Sequence, residues 1–308
     1  MTKSDLIIMF NRVGRGGIVI KEKLKILVEM EPRKMVLYPL IVFILALIVI
    51  AATYIKTGSP VKEGIELKGG SVISLQGVNA DPDELASEIR KLGVDANVER
   101  FTGITGGSGI RIYIPAGEDV KKVQDFLKKK FPGVEPQITV IGPTFGEMVR
   151  EQGIKAITYA FIGMAIVVFL FFRILVPSLT VVFSAFSDMV IAVALMNIFG
   201  IELSQATIAA LLMLIGYSVD SNILLTTRLL KRKEFTVEEA YYSSLRTGFT
   251  MSTTTLGALI SLWLFSTAKV IDDIASVLVF GLLADFMNTW ILNAGVLRMY
   301  IAKREGKK

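Results

Sequence analysis

Six apolar stretches, each about the 20 residues needed to cross a hydrocarbon core of roughly 30 Å, constrain this chain more than any other feature. They run over residues 35–54, 154–172, 178–199, 208–225, 247–265 and 274–297. With 52% hydrophobic residues across 308 positions, the chain is too apolar for an ordinary soluble globule. Lipid offers no partner to backbone N–H and C=O groups, so such stretches must satisfy them internally, as helices do. The expected fold is a polytopic α-helical membrane protein with six transmembrane helices and one domain outside the membrane, between helices 1 and 2.

Residues 1–34 are too long and too charged for the n-region of a signal peptide, which predicts an uncleaved first span. Short loops place Lys231, Arg232 and Lys233 after the fourth span and Lys303, Arg304, Lys307 and Lys308 after the sixth. The loop Ile201-Glu202-Leu203 carries no basic residue. The positive-inside rule then sets both termini in the cytoplasm of a multi-pass plasma-membrane protein. The expected organisation is a cytoplasmic segment 1–34, a span 35–55, an extracytoplasmic domain 56–150, spans two to six within 151–300 and a cytoplasmic tail 301–308.

Cysteine and histidine are both absent. Disulfides, thiolate metal sites and cysteine nucleophiles are thereby excluded, as is the usual neutral-pH proton shuttle. Proton chemistry falls to carboxylates, lysines and tyrosines. No metal, cofactor or catalytic site is expected, and the chain is read as a non-enzyme. The net charge of +6 is spread over loops and suits membrane headgroups; no nucleic-acid partner is expected. The pairs Gly69-Gly70 and Gly106-Gly107 lack the Lys and Ser/Thr that would follow in a phosphate loop, so they read as turns.

In the outside domain the pattern predicts strand 71–76, helix 82–92, strand 96–102, strand 110–114, helix 118–131 and strand 136–141. This β-α-β-β-α-β order is that of a ferredoxin-like α+β domain. Asp81 is its first expected helix cap, and 103–109 is a Gly-rich hairpin tip. Glu66 and Lys68, ahead of the first strand, read as a surface pair worth at most about 1 kcal/mol, with Gly69 and Gly70 as the residues the turn needs.

Polar residues inside the apolar stretches carry the functional signal. An ionised carboxylate at mid-bilayer costs roughly 2.5 to 3.5 kcal/mol on insertion scales, so Asp220, within the fourth stretch, must face a bundle interior, a proton path or a cation. Ser218 and Asn222 flank it; Ser184 and Asp188 mark the third stretch, and Asp285, Asn288, Thr289 and Asn293 the sixth. Asp188 has Ser184 and Ser187 nearby, and Asp285 has Asn288 and Thr289, which local hydrogen bonding could use. In the fifth stretch Thr247, Thr250, Thr254, Gly257 and Ser261 make a small, hydroxyl-rich face suited to close helix approach. Arg246 stands just ahead of it.

At these residues the chain resembles the SecF family, the smaller subunit of the SecD/SecF accessory complex of the Sec protein-export system, related to resistance-nodulation-division transporters. The likeness covers nearly the whole chain. Its pieces are Gly64-Ile65-Glu66-Leu67-Lys68-Gly69-Gly70-Ser71, Gly216-Tyr217-Ser218-Val219-Asp220-Ser221-Asn222, and Leu245-Arg246-Thr247 running into Thr253-Thr254-Thr255-Leu256. Bacterial members usually carry Asp-Phe-Thr-Gly-Gly after span one, and Asn then Asp after Gly-Tyr-Ser-Ile in span four. Asp220 comes one residue earlier, which turns a helical side chain by about 100°, and Val-Asp-x-Asn is more like the SecD partner. The pattern resembles the archaeal type.

The resemblance implies a subunit that acts with a SecD-like partner and a SecY-type channel on a translocating unfolded protein in the lipid bilayer. It implies proton-gradient coupling through Asp220 and Arg246, with Asp188, Asp285, Asn222 and Asn288 as further intramembrane polar candidates. A proton loaded and lost at a buried carboxyl can bias a two-state helix packing. The other readings are a passive scaffold whose carboxyls only hold helices together, and a homodimeric small-molecule exporter. The polar face of spans four to six is expected to line the partner interface.

Overall fold

A computed structural model describes residues 30–102, 108–231, 236–266 and 268–306. Most of the expected cytoplasmic segment 1–34, the tip of the Gly-rich hairpin, Arg232, Lys233, Lys307 and Lys308 lie outside the described residues. Helix α1, Pro32–Thr57, starts with proline in its first turn and stops at Gly58, whose left-handed backbone lets its N–H reach the Tyr54 carbonyl at 2.8 Å. Then comes a short turn of helix, α2 (Ile65–Lys68), followed by β1 (Gly70–Gln76), α3 (Pro82–Lys91), β2 (Asn97–Thr102), β3 (Ser108–Pro115), α4 (Val120–Lys130) and β4 (Gln137–Ile141).

These four strands form one antiparallel sheet in the order β2-β3-β1-β4. Alternation puts Ile73, Leu75, Ile110, Ile112 and Ile114 on one face, where Leu85 and Ile89 of α3 and Val123 and Leu127 of α4 cover them. Asp81 caps α3 by accepting the Asp83 and Glu84 amides.

The membrane part continues with α5 (Pro143–Phe172), α6 (Leu175–Phe199), α7 (Gln205–Lys231) and α8 (Val237–Phe265), then α9 (Lys269–Met287), a π-helical segment Asn288–Asn293 and α10 (Ala294–Glu305). Five helices, α1 and α5 to α8, are long and apolar enough to cross a membrane. The sixth expected stretch, 274–297, differs: it is broken by the π segment, and α9 carries Lys269, Asp272, Asp273 and Asp285. In the bundle α6 and α7 are the most buried spans, packed on α9, whereas α5 and α8 leave most of their apolar surface open.

Several contacts seat the outer domain on the bundle. Residue 64 and residue 203 exchange strand-like bonds with their neighbours, Gly64 N–H to the Leu203 carbonyl at 2.9 Å and Leu203 N–H to the Lys62 carbonyl at 2.7 Å. Glu66 does not pair with Lys68 among the described residues; its carboxylate accepts the Gln205 N–H at 3.2 Å, at the head of α7, where the helix dipole favours an anion. Gly70 is needed as expected: a β-carbon there would lie 2.4 Å from the Ile114 carbonyl oxygen, at a φ of 150°.

A cleft of about 530 Å³ separates sheet from bundle, crossed by an ion pair between Lys269 and Glu99. Glu202 also lines it, and burial there holds its carboxyl above the ordinary value against the opposing field of Lys269. An acid raised in the docked state contributes stability fully below its free value, 4.5, and loses it as pH rises through the raised one. Docking should therefore tighten as pH falls toward 4.5, read as reduced mobility of spin labels on β2. Loosening on acidification would contradict the assignment.

Candidate functional site

The bundle interior holds a connected polar network. Asp188 on α6 and Asp285 on α9 are both buried and are bridged by α7, which turns Ser218, Ser221 and Asn222 inward. Ser218 donates to Asp188 Oδ2 at 2.6 Å, and Ser221 donates to Asp285 Oδ2 at 2.8 Å. Residues three apart on one helix share a face, so one turn of α7 grips both carboxyls.

The π segment supplies the other side. Inserting a wider turn shifts the register of the side chains after it, and such bulges concentrate at functional sites. Here Asn288 donates to Asp188 Oδ1 at 2.7 Å and to Ser187 Oγ at 2.9 Å, while Thr289 donates to Asp285 Oδ1 at 2.7 Å. Asn293 then donates to Asn222 Oδ1 at 2.6 Å, and Asn222 to the Ser218 carbonyl at 2.8 Å. Among the described residues no Lys or Arg forms an ion pair with either carboxyl. A buried charge without a cation is costly, and hydroxyl and amide donors are what meet the two carboxyls here.

Of the local partners expected for the two carboxyls, only Thr289 bonds its own, Asp285. Ser184 is buried without a hydrogen-bond partner, and Asn288 serves Asp188 rather than Asp285. The principal donors come across helices, from Ser218 and Ser221.

Asp220 lies elsewhere. It is exposed on the outward side of α7, lining an open groove of about 580 Å³ with Phe171 of α5, Leu224, Thr227 and Met251 of α8. Arg246 is also exposed, in an adjoining groove with Thr247, Thr250, Thr254 and Thr255, and Met251 belongs to both. The structure thus sets Asp220 and Arg246 on one face without pairing them. Arg228 is the basic residue that does bridge α7 and α8, donating to the Ser243 carbonyl at 2.8 Å and Thr247 Oγ1 at 2.9 Å. Gly69 and Gly70 sit apart from the network, at the turn into β1.

Sequence reading missed Ser221 and Thr226 as members of the network, Thr226 receiving the Asn293 amide at 3.5 Å, and missed Arg228 as the tie between α7 and α8. Ser221 was legible, since it stands three positions after Ser218 in the same stretch; the π segment that turns Asn288 and Thr289 toward different carboxyls leaves no comparable signal.

Residues 122–303 match the family model described as protein export membrane protein SecD/SecF, C-terminal. A protein-export membrane protein SecF of Pyrococcus furiosus is 79% identical over 291 residues, 94% of this chain and 98% of that protein. One of Methanocaldococcus jannaschii is 40% identical over 259 residues, 80% of this chain and 90% of its own. Among solved structures, SecDF from Thermus thermophilus superposes with a TM-score of 0.67 at 18% identity, over 89% of this chain and 39% of that one. SecDF in a super-membrane-facing form gives 0.54 at 17% identity, over 87% and 38%. The chain therefore spans about two fifths of those SecDF chains, and at such identities the likeness concerns the fold.

Proposed function

Because this chain belongs to the SecD/SecF family of protein-export membrane proteins, we propose that it works as a SecF-type subunit that promotes protein export and membrane insertion, coupled to the proton gradient. Its partner is a SecD-like subunit, and the pair acts at a SecY-type channel on an unfolded chain in transit. The run from α9 through the π segment to α10 is read as the sixth span, both termini as cytoplasmic, and the outer domain, by its β-α-β-β-α-β order and sheet order 4-1-3-2, as ferredoxin-like.

The observation that carries the coupling is the two-sidedness of α7. Its inward serines hold the carboxyls of α6 and α9, and its outward Asp220 lies open beside the Arg246 groove. Covered by the partner's helices, Asp220 gains or loses a proton in a surface that then excludes water. Each state favours a different seat for α7 against that surface, and the inner carboxyls, Asp188 and Asp285, take up and release protons in step and pass the movement to α6 and α9. The Glu66 contact and the Gly64 and Leu203 bonds join α7 and its leading loop to the outer domain, which is the part that would act on the exported chain.

Asp220→Asn should abolish gradient-dependent export in membrane vesicles while the complex with the SecD-like subunit is still recovered in full. Retained export with an intact complex would defeat the coupling role and leave the passive scaffold. Recovery of the chain only as a homodimer would point to a small-molecule exporter instead.

A further inference from the structure

The groove that holds Asp220 is basic at its other end. Along it α7 presents Asp220, Leu224, Thr227, Arg228 and Lys231 as one stripe, walled by Phe171 of α5 and Met251 of α8. At 1.5 Å per residue, Asp220 lies about 12 Å along the helix from Arg228 and about 16 Å from Lys231, too far to neutralise either. Neither cation forms an ion pair among the described residues. The groove therefore runs from an acid, through apolar walls, to two uncompensated positive charges.

Three side chains shape the basic end. Arg228 commits one arm of its guanidinium to α8, where Nη1 meets the Ser243 carbonyl and Thr247 Oγ1, so its plane is held in place with other N–H groups to offer. Lys231 does not simply reach out to water, as a lysine at a helix end can; its Nζ lies over the Phe171 ring, 4.2 Å from the centre, and so stays with the groove wall. Thr227 is the third. A helical threonine commonly returns its hydroxyl to the carbonyl four residues back, as Thr250, Thr254 and Thr255 do on α8. The Thr227 hydroxyl oxygen is buried and has no hydrogen-bond partner among the described residues.

These groups call for an anion with several acceptor oxygens and an apolar extension. A phosphate diester offers its oxygens to a guanidinium edge and an ammonium together, and an oxygen of the attached glycerol suits the Thr227 hydroxyl. The extension has a wall to lie on, since Phe171 and Met251 are 47% and 49% exposed. Free phosphate would meet the cations and leave that wall bare. A covering helix would meet the wall and leave the cations without a counter-charge unless it carried an acid at that turn. A membrane lipid supplies both, and basic pockets between helices on the side read above as cytoplasmic suit anionic headgroups. Asp220 repels an anion, which sets the headgroup at the Lys231 end.

We propose that this groove binds one anionic phospholipid, with its phosphate between Arg228 and Lys231, a glycerol oxygen on Thr227, and one chain along Phe171, Leu224 and Met251 toward Asp220. The site belongs to this chain by itself and stands apart from the export reading. In the complex the partner's helices, over Asp220 at the far end, meet the lipid's chain there, so the lipid joins the wall that keeps water from that carboxyl.

The test is a titration of the delipidated full chain, in neutral detergent, with phosphatidylglycerol, read by thermal shift and counted by native mass spectrometry. One lipid per chain should be retained. Its Kd should rise at least about fivefold in Lys231→Gln, the loss of one cation at a headgroup, and severalfold in Thr227→Val, which keeps the side chain's shape. Lys303→Gln, an exposed basic residue of α10 outside the groove, should leave it unchanged. Equal weakening by Lys303→Gln would reduce the effect to the general charge of that membrane side and overturn the site. Equal binding of phosphatidylcholine would leave an apolar groove that reads no headgroup charge, and equal stabilisation by inorganic phosphate would leave an anion site without a lipid; either result overturns the proposal. Loss of the lipid on adding the SecD-like subunit would give the whole groove to the partner's helices.

Discussion

Gly248→Val should be the most damaging single substitution in the membrane bundle, lowering stability by roughly 3 kcal/mol or more, because overpacking a sealed core costs 1–3 kcal/mol when the site can give and more when it cannot. A β-carbon at Gly248 would lie 1.7 Å from Cζ2 and 2.3 Å from Cη2 of Trp290. The indole has nowhere to go: it is fully buried, Tyr241 donates to the Trp290 carbonyl at 2.5 Å, and Met35, Leu225, Leu245 and Leu297 pack the same core. Trp290 belongs to the π segment that presents Asn288, Thr289 and Asn293, so displacing it also disorders the donors to both carboxyls. Thermal unfolding in detergent reads the effect. Gly216→Ala is the control, since nothing lies within 4 Å of a β-carbon there and alanine adds up to about 1 kcal/mol of helix propensity. Equal melting of Gly248→Val and the parent would mean that the ring is not held where the structure places it.

What could be read from residue order divides along a physical line. Helical spans and the order of the outer strands are local properties, because a 20-residue apolar run or an alternating strand needs no knowledge of its neighbours. Asp81 at the head of α3 is of this kind. Glu66 is not: an exposed acid beside Lys68 looks like a surface pair, and only the docked fold brings the α7 N-terminus to it. The same limit separates the intramembrane aspartates. Asp220, Asp188 and Asp285 all appear as carboxyls in apolar runs, and burial cannot be assigned to one over another without helix rotation. In the fold the 100° step between adjacent residues of α7 sends Ser221 to Asp285 and leaves Asp220 exposed. Arg246 was legible as a boundary residue, and its exposure on the Asp220 side belongs to packing alone.

The double variant Asp188→Asn/Asp285→Asn should keep its stability and lose the gradient dependence of export, whereas Asp188→Leu/Asp285→Leu should lose the gradient dependence and melt at a lower temperature. Four side-chain donors meet the two carboxyls, from Ser218, Asn288, Ser221 and Thr289. At about 0.6 kcal/mol for an average intramembrane hydrogen bond, removing all four acceptors costs about 2 kcal/mol, enough to lower yield and melting temperature in the leucine pair. Asparagine keeps the shape. The hydroxyls of Ser218, Ser221 and Thr289 can rotate from donor to acceptor, and Asn288 has a carbonyl oxygen without a partner that can receive a new N–H after an amide flip. What asparagine cannot do is take up or release a proton. Vesicle export with and without an imposed gradient, measured on both double variants at matched protein levels, separates the roles. A fully gradient-responsive asparagine pair would make the buried carboxyls structural and leave Asp220, on the outer side of α7, to carry the coupling alone.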